Sequence, residues 1–122
     1  MRHRSKKSRF GRQGDHQKAL MKNLATSVIL YEKVQTTEAK AKVVAPRVEK
    51  LISLAKRAEA GKTDKKEAIR RFKQELFDEN ASKKLLEELA KRYTDRSSGF
   101  TRITALKNRA GDAAPLVQIE LV

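Results

Sequence analysis

Six cations stand in the first fourteen residues: Arg2, Arg4, Lys6, Lys7, Arg9 and Arg12, with no carboxylate among them. The chemistry open to such a run is neutralisation of a polyanion. Lys and Arg gain affinity for a phosphate backbone by releasing its condensed counterions. Beyond Met1 the run has one large apolar side chain, Phe10, and so nothing with which to build a core. Its like charges favour a basic, extended N-terminal arm, which a phosphate backbone would order. Gly11-Arg12-Gln13-Gly14 adds small residues that let backbone approach phosphate, just ahead of a helix N-terminus with unpaired amides. The same four residues fit the GxxG of a KH loop, but that loop joins two helices and nothing helical precedes this one. A flexible joint between arm and domain accounts for the glycines equally well.

A second basic group lies near the C-terminus: Arg96, Arg102, Lys107 and Arg109, interleaved with Phe100, Thr101 and Asn108. On a rigid β element such cations position phosphate and sugar, and the Thr and Asn side chains suit the same contacts. They specify no base sequence by themselves. The bland alternative makes Phe100 core and the cations isolated surface charges. Lys18 and Lys22, four apart, add two cations along one side of a first helix.

Catalysis finds little support. His3 and His16 are the two histidines, in or beside the arm. Asp15 and His16 are adjacent, and neighbours on a helix point about 100° apart, a poor acid–base pair. The pairs Asp78/Glu79 and Glu87/Glu88 sit among lysines on amphipathic segments, as solvated faces and i,i+4 partners do. There is no cysteine, hence no disulfide framework and no thiolate zinc site. No phosphate-binding loop of nucleotide enzymes is present. These absences lead to the expectation of no cofactor, no metal and no small-molecule substrate. No apolar run approaches the ~18 residues of a membrane span, and the N-terminus has no hydrophobic stretch of a secretory signal, so no membrane partner is expected.

At 122 residues and a net charge of +14, the chain reads as a basic arm, residues 1–14, and a single domain, residues 15–122. Helix 1 is predicted over 15–31, with Asp15 as cap and Leu20, Leu24, Val28 and Tyr31 inward, Met21 and Ala25 beside them. Residues 33–36 suit a short strand. Helix 2 runs from Thr36 or Thr37 to about Ala60, with a kink or break at Pro46 and a stop at Gly61. Asp64 and Glu67 form a capping-box pair for helix 3, residues 65–77, whose inward residues are Ile69, Phe72 and Leu76. Asn80 or Ser82 caps helix 4, lined by Leu85, Leu86, Leu89 and Tyr93. Residues 100–107 and 116–122 alternate as strands, joined by the turn residues Asn108 to Asp112. Ile103, Ile119 and Leu121 are expected in the core. The order predicts an α+β fold, with a small sheet covered on one face by helices.

Several of these segments resemble one known family. Met1-Arg2-His3-Arg4, Gly11-Arg12, His16, Ala19-Leu20 and Asn23-Leu24-Ala25 are similar to the start of the seventeenth protein of the bacterial large ribosomal subunit. Thr36-Thr37, Ala39-Lys40-Ala41-Lys42 and Glu49-Lys50-Leu51-Ile52 follow in the right order. The tail is the most specific part: Arg92-Tyr93, Asp95-Arg96, Gly99-Phe100-Thr101-Arg102-Ile103, Arg109, Gly111 through Pro115, and Ile119-Glu120-Leu121-Val122. The chain departs from the family at Gln17, at Lys22 and at Ser98-Gly99-Phe100, where Arg, Arg and Gly-Gly-Tyr are usual. Lys22 keeps the charge but loses bidentate phosphate geometry.

The resemblance implies a structural constituent of the large subunit, cytoplasmic and in the ribosome, that binds ribosomal RNA and supports subunit assembly and translation. It implies a two-layer fold of helix, strand, three helices and two strands, with a small mixed sheet packed against the helices. It implies a place on the solvent side near the peptide exit tunnel, with neighbouring large-subunit proteins as partners. Together with the charge pattern it implies an RNA-binding set of Arg2, His3, Arg4, Lys6, Lys7, Arg9, Arg12, His16, Lys18, Lys22, Asn23, Arg96, Arg102, Lys107 and Arg109. Two other readings compete: a small basic DNA-binding architectural protein, since the electrostatics fit either polymer, and an RNA-processing enzyme. No β-ribbon arm with an apolar wedge is evident for the first, and no acid–base constellation for the second.

Overall fold

A computed structural model describes residues 14–122 of the chain. The element order is α1 (Gly14–Tyr31), β1 (Lys33–Thr37), α2 (Glu38–Glu59), α3 (Lys65–Glu75), α4, β2 (Thr101–Asn108) and β3 (Pro115–Leu121). Helix α4 is continuous through three segments: Glu79–Lys84, a π-helical Leu85–Leu89, and Ala90–Arg92. This is the expected α+β order of helix, strand, three helices and two strands.

The sheet runs β1-β3-β2, and both pairings are antiparallel. It is antiparallel throughout, where the resemblance implies a mixed sheet. The strands β1 and β2 do point the same way, but β3 lies between them and removes any parallel contact. With β3 at the centre, its inward side chains Val117 and Ile119 are buried. Helices cover that inner face, which makes two layers. Met21, Val28 and Ile29 of α1 meet Val44, Val48 and Ile52 of α2, Phe72 of α3, and Leu85 and Leu89 of α4 in one core. The rings of Tyr93 and Phe100 lie 5.1 Å apart, and the Tyr93 hydroxyl donates to the Val122 carbonyl at 2.8 Å. That contact ties the C-terminus to the helices.

Several boundaries and faces differ from expectation. In α1 the buried stripe is Met21, Ala25, Val28 and Ile29; Leu20 and Leu24 are only flanking and Tyr31 is 72% exposed. The stripe that starts one residue later wins, because one residue is about 100° of rotation. Asp15 lies in the first turn of α1 and is not its cap. Pro46 lies within α2 and does not break it. The proline is exposed, so the carbonyl that loses its amide partner four residues back faces water. Gly61, at φ +80, closes α2: its amide donates to Ala58 and that of Lys62 to Arg57, a Schellman pair. Asp64 caps α3 by accepting from the Lys66 amide at 3.1 Å, and α3 stops at Glu75. Ile69 is 36% exposed, because Ala68 is the partner of Phe72 on the inward line. Asp78, not Asn80 or Ser82, caps α4 and accepts from the Asn80 amide at 2.8 Å.

Ile103 also departs from the core assignment. It sits opposite Ile119, which sits opposite Val34, so all three share the inner face. Ile119 is sealed at the centre, whereas Ile103 is on the edge strand and is 38% exposed.

Candidate RNA interface

The outer face of the sheet carries the cations that the fold organises. Glu120 on β3 is opposite Lys33 on one side and Arg102 on the other, so these three point outward together. Farther along β2, a bulge between Ala105 and Lys107 inserts Leu106 as an extra residue. Lys107 is thereby paired with Leu116, an outward position, while Ala105 is paired with the inward Val117. A strict alternation from Arg102 would have turned residue 107 to the helical side. The bulge places Lys107 on the same face as Arg102. Lys33, Gln35, Arg102, Thr104 and Lys107 are all exposed there.

Charge on this face is partly compensated. The Arg102 guanidinium lies 3.6 Å from Glu120 and its side chain remains 60% exposed. Arg109, in the turn beyond β2, is held more firmly. It donates from Nε and Nη2 to the two carboxylate oxygens of Asp112, at 3.0 and 2.5 Å. Asp112 also accepts from the Ala114 amide at 3.3 Å. The Arg109 guanidinium holds the Asp112 carboxyl down to about 2, with the Ala114 amide acting the same way. The turn is closed by the Arg109 amide on the Ala114 carbonyl, and Gly111 takes φ +103 within it. Arg109 is thus preoriented by its neighbour, with its remaining N–H groups facing solvent.

Arg96 stands apart from the sheet face, in the loop before β2. Its guanidinium donates to the Gly99 carbonyl at 3.2 Å, and its own carbonyl accepts from the Lys56 ammonium. On α1, His16 and Asn23 are seven residues apart and share one exposed line; Lys18, exposed, and Lys22, four residues on, lie along another side. Lys22 is half-buried, with its ammonium 4.4 Å from the centre of the Phe77 ring. The Thr26 hydroxyl fixes this corner, donating to the Lys22 carbonyl at 2.7 Å and accepting from the Phe77 amide at 3.1 Å. The candidate site residues that are described therefore fall into three groups: the outer sheet face with its turn, the α1 lines, and the Arg96 loop. Arg2, His3, Arg4, Lys6, Lys7, Arg9 and Arg12 lie outside the described residues, as do the first three residues of the Gly11–Gly14 stretch.

Lys33 is a cation of this face that the sequence pattern of basic groups does not single out. A signal for it exists: once Val34 is placed inward, strand alternation sends Lys33 out. Among the described residues no group of three or more His, Cys, Asp or Glu side chains could hold a metal ion. No helix there is long and apolar enough to cross a membrane.

Comparison with known proteins places the chain in a family. The family model described as ribosomal protein L17 matches residues 20–122. This chain belongs to the ribosomal protein L17 family. It is 45% identical over 114 residues to the large ribosomal subunit protein bL17 of Desulforudis audaxviator, covering 93% of this chain and 96% of the relative. The bL17 protein of Erythrobacter litoralis is 45% identical over 122 residues, covering 100% of this chain and 83% of the relative. That of Hydrogenobaculum sp. is 45% identical over 123 residues, covering 100% and 99%. The match extends through α1 to β3, so L17 family membership covers every element that presents the cations described above.

Proposed function

We propose that this chain is a structural constituent of the bacterial large ribosomal subunit, binding ribosomal RNA through its basic N-terminal arm and its C-terminal β-hairpin. The observation that carries the RNA contact is the outward strand face, where a bulge aligns Lys107 with Arg102 and the turn preorients Arg109. Its chemistry is positioning: guanidinium and ammonium groups engage phosphate oxygens, and rigid strands fix their spacing. Arg is suited to bidentate contact and Lys to point-charge neutralisation. The α1 residues His16, Lys18, Lys22 and Asn23 extend the contact towards the arm. Family membership supports the ribosome over the DNA-binding alternative and gives the chain no reaction to catalyse. Neighbouring large-subunit proteins near the exit tunnel are its expected protein contacts, in the cytoplasm.

Sedimentation tests the assignment. In cell extract treated with DNase, the protein should travel with the large subunit. Release by DNase would favour the DNA-binding reading instead. Binding of the purified chain to intact large-subunit ribosomal RNA should weaken linearly on a log–log plot against salt, as counterion release requires.

A further inference from the structure

An open groove of about 1200 Å³ runs between α2, α3 and the loop of Ser97 to Gly99. It is separate from the outer sheet face and meets the interface described above only at the Arg96 loop, where Lys56 and Gly99 belong to both. Its walls carry six cations, Arg47, Lys50, Lys56, Arg57, Lys62 and Arg71, against two carboxylates, Glu49 and Glu75. Both carboxylates are already engaged. Glu49 accepts from the Thr101 amide at 3.4 Å and its hydroxyl at 3.2 Å, and Glu75 lies 3.8 Å from Arg47. Two of the cations are also engaged elsewhere. Lys56 donates to the Arg96 carbonyl beside the Phe100 ring, and Arg71 lies 3.7 Å from Glu67. Lys50, Arg57 and Lys62 are exposed and have no carboxylate partner among the described residues.

Lys50 and Arg57 are seven apart on α2, so they stand on one line two turns apart, about 10 Å along the axis. Lys62, past the Gly61 turn, lines the same groove. A line of unpaired cations over that length suits successive phosphates of a strand, not one small anion. The volume exceeds the usual range of about 300–1000 Å³ for small-molecule pockets, and the groove is open to solvent. Hydroxyls of Ser97 and Ser98 and the Gln74 amide add neutral donors of the kind found on sugar–phosphate backbone.

We infer that this groove is a second RNA-docking surface, which takes the sugar–phosphate backbone of ribosomal RNA on Lys50, Arg57 and Lys62. It rests on the reading that the chain binds ribosomal RNA, and adds a face that neither the arm nor the hairpin reaches in sequence. The loop from Arg96 to Phe100 joins the two surfaces, since it forms one wall of the groove and leads directly into β2.

The test uses the full chain with Lys50→Gln, Arg57→Gln and Lys62→Gln combined. Its melting temperature should match the parent, because all three side chains are exposed. Binding to intact bacterial large-subunit ribosomal RNA is measured across a salt series. The magnitude of the log–log slope should fall by roughly two to three units, at ~0.7–0.9 for each phosphate no longer neutralised, with at least a tenfold loss of affinity at moderate salt. A control removes three charges elsewhere, with Lys66→Gln, Arg70→Gln and Lys73→Gln on the exposed side of α3, and should change the slope by less. An unchanged slope in the folded groove variant overturns the inference, as does an equal fall in the control. If the parent itself shows no salt-dependent binding, the RNA reading fails and the groove falls with it. Acylation of Lys50 and Lys62 in the assembled subunit gives a further readout. Protection that disappears on ribonuclease digestion supports RNA in the groove; protection that survives digestion places a protein there and overturns it.

Discussion

Glu32 takes a left-handed backbone conformation, φ +64, at the one-residue joint between α1 and β1. Such a conformation costs a residue other than glycine about 1–2 kcal/mol. The joint is held by a set of contacts. The carboxylate accepts from Arg92, and from the Lys84 ammonium at 2.9 Å, while the Glu32 carbonyl accepts from the Leu121 amide at 2.9 Å. Lys84 also donates to the Leu30 carbonyl at 3.1 Å, supplying the cation that the last turn of α1 lacks. Arg92 most of all, with Lys84 and against the effect of burial, lowers the Glu32 carboxyl from its ordinary value near 4.5 to about 2. A carboxyl lowered by folding stabilises the fold above its unfolded value and loses that effect as pH falls through the folded one. Glu32→Gln should therefore cost about 1–2 kcal/mol at neutral pH, after screening at a side chain one-third exposed. Urea titrations should show the difference from the parent shrinking between pH 4.5 and 2; a gap that stays constant would rule out the ion pairs as its source. Exposed cations behave otherwise. Arg102→Ala and Arg109→Ala should leave the melting temperature nearly unchanged yet each weaken RNA binding by about 1 kcal/mol. Ile119→Ala should cost about 2–5 kcal/mol of stability, and Ile103→Ala, at the sheet edge, under ~1. An arginine variant that melts early while retaining affinity at low temperature would reassign that arginine to the fold.

Helix α2 passes through Pro46 with the proline facing solvent, and at that position Ala would restore a backbone donor. Pro46→Ala should raise stability by about 1–2 kcal/mol, less than the full ~3 kcal/mol propensity difference because the unfolded chain also gains freedom. Chemical denaturation that shows a loss instead would mean that the proline shapes α2 against its neighbours. Sequence alone suggests a break here because a proline's local effect is plain, whereas the packing of Val44 and Val48 on either side, which carries the helix through, is tertiary. Element order is legible for the opposite reason: apolar spacing, Gly61 and Asp64 all act within a few residues. Which strand occupies the centre is not legible, since that depends on how β3 meets β1, some eighty residues earlier. The bulge at Leu106 is equally hidden. Thr101 to Asn108 reads as plain alternation until the register with β3 is known, and only then does Lys107 join Arg102 on one face. For the same reason the hairpin is visible in sequence as a cationic segment but its outward face is not. The groove cations, spread over Lys50, Arg57 and Lys62 among carboxylates, look in sequence like an ordinary solvated helix face. The fold reveals that Glu49 is engaged by Thr101 and Glu75 by Arg47, which leaves those three cations without a carboxylate.

At the scale of the whole molecule the charge is divided unevenly. Residues 1–14 hold six cations without a carboxylate, and the other 23 Lys and Arg are set against 15 Asp and Glu. The domain's cations are spread over surfaces facing different ways, the outer sheet face and the α2–α3 groove, so no single flat polyanion can satisfy all of them. A folded RNA that wraps several sides can. On this reading the arm and the domain contribute separable parts of one salt dependence, because counterion release counts phosphates wherever they are engaged. Deleting residues 1–12 should leave the cooperative melting of the domain in place, since the buried core lies between Met21 and Ile119. The magnitude of the salt slope should fall by up to roughly five units if all six cations meet phosphate on duplex RNA, and by less if only some do. The hairpin and groove should supply the slope that remains. A slope unchanged by the deletion would deny the arm any part in phosphate binding, and a vanished melting transition would make it part of the folded structure. A slope that vanished altogether would be the more instructive failure: the domain's exposed cations would then contribute nothing, and the arm alone would hold the RNA.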